Sequence, residues 1–152
     1  IKYILQIRDI LKLNNFKLQI KLHPNSLNNK VNLELSKLFI ENIDNNNLIN
    51  ELLKSKYVIT EPTSIAAIAC LTGIPIITPL IAPFNKKRYG EMMDEYPNRR
   101  NFSSFMDLDD ILKNTTIYSD KIKINNWLDK YAGPLPPSEF PNRVLKVVKK
   151  FI

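Results

Sequence analysis

The stretch from Tyr57 to Pro79 constrains the fold more than any other part of the chain. It holds two short apolar runs, Tyr57-Val58-Ile59-Thr60 and Ile74-Pro75-Ile76-Ile77-Thr78-Pro79, on either side of the segment SIAAIACLTG. The runs are too short for buried helices and rich in β-branched residues, so each is predicted to be a buried strand. The segment between them opens on Thr63-Ser64, a helix-capping pair, and closes on Gly73, a helix-ending residue. A strand, a helix and a second strand in that order form a βαβ unit, and such units build parallel sheets.

The rest of the chain extends the same alternation. Ile4, Ile7, Ile10 and Leu11 share one face of a helix over residues 1–13. Phe16 to Leu22 alternates apolar and polar residues at the period of a strand, which ends at His23-Pro24. Val31, Leu35, Leu38 and Phe39 predict another helix, with a short strand over Phe39 to Ile43, and Asn46 or Asn47 caps a helix carrying Leu48, Ile49, Leu52 and Leu53. Beyond Pro83 the pattern weakens. A helix over Leu108 to Leu112 is entered through Asp107, and another covers Ile122 to Tyr131. Gly133 to Pro137 is a stiff linker, and Ser138 caps a last helix that tolerates Pro141 in its first turn. No internal repeat is visible. The predicted fold class is α/β, a Rossmann-like parallel sheet flanked by helices. Residues 1–137 are predicted to form one Rossmann-like domain, with 138–152 as the C-terminal helix of that same domain.

Composition removes several functional classes. The 152 residues include only three glycines, so neither a G-x-G-x-x-G nor a G-K-S/T phosphate loop is present. One cysteine, Cys70, and one histidine, His23, exclude a disulfide scaffold and the usual zinc clusters, and no metal cofactor is expected. The longest apolar stretch, Ile65 to Leu71, is far below the roughly 18 residues of a membrane span. A net charge of +7 favours anionic partners. The basic residues are scattered and not interleaved with aromatic ones, so a nucleic-acid surface is not expected. Because the chain begins at Ile1 inside a predicted helix, it is expected to be a piece of a longer protein.

Two short segments sit where an open parallel sheet binds ligands, beyond the carboxyl ends of its strands. Lys21-Leu22-His23-Pro24 leaves one strand, and Thr60-Glu61-Pro62-Thr63-Ser64 leaves another and runs directly into a helix start. Free backbone N–H groups and the positive dipole end make that start an anion site. The Thr63 and Ser64 hydroxyls add donors, and His23 can add a third. The plain alternatives stand beside this reading: a Thr-Ser pair is also an ordinary helix cap, and a His before Pro an ordinary strand-end turn.

The ordered set KLHP (21–24), LLKSKYVIT (52–60), TS (63–64) and GIPIITP (73–79) resembles the C-terminal, donor-binding domain of GT-B glycosyltransferases. The likeness is closest to enzymes assembling bacterial capsule, lipopolysaccharide and teichoic acid, and it covers residues 16–80. Many relatives using UDP- or GDP-sugars carry a glutamate four residues after the hydroxyl pair to hold the donor ribose. Here that position is Ile68. The pattern without it is more similar to CDP-glycerol polymerases and to bacterial sialyl- and polysialyltransferases, which implies a CMP- or CDP-activated sugar or polyol donor. The resemblance implies a carbohydrate or lipid-linked acceptor and a cytoplasmic location, including the inner face of the membrane. It implies that His23, Thr63 and Ser64 contact the donor phosphate, with His23 also stabilising charge on the leaving group. Lys21, Pro24, Glu61 and Arg88 become possible substrate contacts, and the acceptor domain lies outside this chain.

Other residues have simpler readings. Lys86, Lys87 and Arg88, like Arg99 and Arg100, either reach an anionic substrate or lie on solvated loops. The basic last helix packs on the core or docks on an anionic membrane. Cys70 and Trp127 are predicted core residues. A nucleotide-sugar epimerase-like domain and a non-catalytic module for nucleic acid or an anionic membrane are the competing functional classes.

Overall fold

The computed structural model of the chain describes residues 1–21, 30–38, 48–81, 93–114 and 120–132. They form α1 (Lys2–Leu13), α2 (Lys30–Leu38), α3 (Leu48–Lys54), β1 (Val58–Ile59), α4 (Ser64–Leu71), β2 (Ile76–Pro79), β3 (Arg99–Phe102), α5 (Phe105–Lys113) and α6 (Lys121–Ala132). The contacts divide the chain into two compact units, one of residues 1–54 and 104–114 and the other of residues 55–103 and 115–152.

In the first unit, α1 turns its Leu11 side inward, and Leu35 of α2 is buried against Ile1, Ile4, Leu5, Leu18 and Ile20. Full burial of each such side chain contributes about 1.5–3 kcal/mol. The expected strand over Phe16 to Leu22 is corrected here. Residues 16–20 alternate half-buried and exposed as a strand should, but among the described residues only a single bridge at Ile20 forms, with no extended ladder. The alternation specifies which side chains turn inward, not whether the backbone pairs. α5 packs on α1, with Leu108 and Leu112 buried and the Tyr3 and Phe105 rings 6.0 Å apart. Its entry differs from the expected Asp107. Ser104 is the cap, and Asp107 is the returning partner of a complete capping box.

The second unit holds a parallel three-stranded sheet in the order β1-β2-β3. Both predicted strands of the βαβ unit are present, shortened to Val58–Ile59 and Ile76–Pro79. α4 ends as its sequence requires. Gly73 takes φ +77, its N–H donates to the Cys70 carbonyl, and the Ile74 N–H reaches back to Ala69. That pair of bonds is a Schellman ending, which needs a residue able to adopt the left-handed conformation.

β3 was not expected. Arg99-Arg100-Asn101-Phe102 has no apolar run, yet it pairs along β2 from Ile76↔Arg99 to Pro79↔Phe102. Arg99 and Arg100 therefore lie on a strand and not on a solvated loop. The Arg99 side chain is 12% exposed and pairs with Asp94 at 2.6 Å, while Arg100 donates to the backbone carbonyl of Arg99 at 2.7 Å. α6 buries Ile124, Trp127 and Leu128, one helical face, with Trp127 edge-on to Tyr96 at 4.8 Å. Cys70 and Trp127 are core residues, as expected. The segments expected at Phe39 to Ile43, the Asn46/Asn47 cap, Lys86 to Arg88, the Gly133 to Pro137 linker and the last helix lie outside the described residues. No helix among the described residues is long and apolar enough to cross a membrane.

Candidate functional site

Because β1, β2 and β3 are parallel, Thr60, Leu80 and Ser103 leave the sheet at one edge, the carboxyl edge. The backbone ladder holds to that edge: the Thr60 N–H donates to the Ile77 carbonyl at 3.1 Å, and the Leu80 N–H to the Phe102 carbonyl at 2.8 Å. From β1 the chain crosses Glu61 and Pro62 and enters α4. Pro62 has no N–H to lose at this turn. Thr63, in extended conformation (φ −142, ψ 174), is the N-cap.

Two hydroxyls meet at the start of α4. The Thr60 hydroxyl donates to the Glu61 carbonyl at 2.9 Å, and its oxygen lies 3.5 Å from Thr63 Oγ1. Ser64 follows directly, with its side chain exposed. The capping bond is long: the Ala66 N–H reaches Thr63 Oγ1 at 3.4 Å, whereas at α5 the Asp107 N–H reaches Ser104 Oγ at 3.1 Å. A bond of 3.4 Å lies beyond the usual 2.7–3.2 Å range for N–H···O. The N–H groups of Ser64 and Ile65 have no carbonyl one turn behind them inside the helix. The start of α4 therefore presents weakly satisfied donors at the positive end of the helix dipole. Donors of this kind are chemically suited to an oxyanion.

Glu61 is exposed beside these donors, its carbonyl already taken by Thr60. Lys21 belongs to the first unit and is half-buried after the bridge at Ile20. His23, Pro24 and Arg88 lie outside the described residues, so the expected approach of His23 to Ser64 does too. Among the described residues, no three His, Cys, Asp or Glu side chains gather as a metal site.

Two residues here have roles that the sequence pattern does not announce. In sequence Thr60 is the end of an apolar run, yet its hydroxyl links the strand end to the helix cap. Thr78 passed as part of an apolar strand. It is fully buried, and its Oγ1 has no hydrogen-bond partner among the described residues. The available signal was a lone hydroxyl within Ile-Pro-Ile-Ile-Thr-Pro.

No protein-family model, no curated protein and no solved structure matches the chain.

Proposed function

We propose that the chain is the nucleotide-donor-binding part of a glycosyltransferase-type enzyme of surface-polymer synthesis, taking a CMP- or CDP-activated sugar or polyol. The observation that carries this reading is the start of α4: a β1–α4–β2 unit whose helix begins at the sheet's carboxyl edge with the paired Thr60 and Thr63 hydroxyls, the exposed Ser64 and a long capping bond. The resemblance of the KLHP, TS and GIPIITP segments to GT-B donor domains supplies the reaction class. In this reading Thr63, Ser64 and the first amides of α4 hold donor phosphate. His23 stabilises the charge that develops on the leaving phosphate, an electrostatic role whose loss typically costs about 10²–10³ in rate. Ile68, where a ribose-holding glutamate would stand, favours cytidine over uridine or guanosine donors. Lys21, Pro24, Glu61 and Arg88 are proposed sugar or acceptor contacts. The acceptor is a carbohydrate or a lipid-linked glycan, reached at an anionic membrane surface, and the base that deprotonates it comes from a separate acceptor domain.

A thermal-shift panel of CMP, CDP, UDP, GDP and duplex DNA tests the reading. A ligand at about 100 times its Kd stabilises by about 2.7 kcal/mol, which is several degrees for a chain of this size. The expected result is a shift with CMP and CDP, smaller with UDP and GDP, and none with DNA. A larger shift with UDP than with CMP or CDP overturns the cytidine preference, and salt-sensitive DNA binding without any nucleotide response overturns the proposal. Calorimetry then assigns the residues. Ser64→Ala is expected to weaken CDP binding by about 1–3 kcal/mol, the loss of a bond to a charged group, while Glu61→Gln leaves it unchanged.

A further inference from the structure

We draw no further inference here: the strongest candidate, the apolar surface patch where α1 meets α5, with the exposed Tyr3 stacked on Phe105 and the exposed Met106 next to it in the chain, carries nothing because nothing in the structure shows what covers it.

Discussion

Asn14 donates one side-chain amide nitrogen both to the Ile10 carbonyl at 2.9 Å and to Asp109 Oδ1 at 2.7 Å, tying the end of α1 to α5 across 95 positions of sequence. The bond closes a contact that begins with the stacked rings of Tyr3 and Phe105 at the other end of the helices. The Asn14 amide, and after it the Lys113 ammonium, hold the Asp109 carboxyl below its ordinary value of 3.8. A carboxylate whose value is lowered on folding stabilises above its unfolded value, and the benefit is lost as pH falls through the folded one. Acid unfolding followed by circular dichroism is expected to begin at higher pH in Asn14→Ala than in the parent. Identical acid transitions would mean that the bond does not persist in solution.

Tyr96 and Asn98 fasten the turn between α4 and β2. The Tyr96 hydroxyl donates to the Ile74 carbonyl at 2.9 Å, and Asn98 Nδ2 to the Gly73 carbonyl at 3.2 Å. Tyr96→Phe keeps the ring against Trp127 and leaves a buried carbonyl without that donor, so a loss of about 1–3 kcal/mol is expected. Urea unfolding measures it. A change below about 0.5 kcal/mol would mean that water replaces the hydroxyl.

Cys70 is fully buried, and burial raises its thiol to about 12, a shift that nearby Arg99 opposes without cancelling. The thiolate is the reactive form, so the native protein should resist alkylation at neutral pH, and labelling should follow unfolding. The unfolded thiol ionises near its ordinary value of 9.0. Stability should therefore fall as pH rises from about 9 toward 12. Fast labelling of the folded chain by iodoacetamide would show that α4 opens readily.

The helices and the βαβ unit were legible in the sequence because each carries its own local signal. Ile4, Ile7 and Leu11 mark α1, and Ser64 to Gly73 carries both a start and a stop. β3 was not legible: Arg99 and Arg100 hide a strand whose only apolar residue, Phe102, stands at its end, and its position follows from pairing with β2, a tertiary effect. Ser104 was missed as a cap because Asp107, three residues on, is itself a good capping residue; only the reciprocal bonds separate the two roles. Of the candidate site, the Thr63-Ser64 start was visible from its residue types, whereas the approach of Thr60 to the Thr63 cap depends on the geometry of the turn, which periodicity does not supply.

The two capped helix starts provide an internal control on what the start of α4 is for. At α5, Ser104 Oγ accepts from Asp107 N at 3.1 Å and the Asp107 carboxylate accepts from the Ser104 N–H at 3.0 Å, so two donors at the helix start are satisfied reciprocally. At α4 the single capping bond is 3.4 Å. Replacing a capping Ser or Thr by Ala costs about 0.5–2 kcal/mol. Ser104→Ala should fall toward the upper part of that range, because it also strands the Asp107 carboxylate. Thr63→Ala should fall at the bottom, since a stretched bond contributes little. Function should rank the two in the opposite order: Thr63→Ala is expected to reduce CDP binding several-fold, and Ser104→Ala to leave it unchanged once stability is allowed for. Chemical denaturation and calorimetry on the same two proteins decide it. If Thr63→Ala is the more destabilising of the pair and binding is untouched, Thr63 is an ordinary cap and the start of α4 holds no ligand through it.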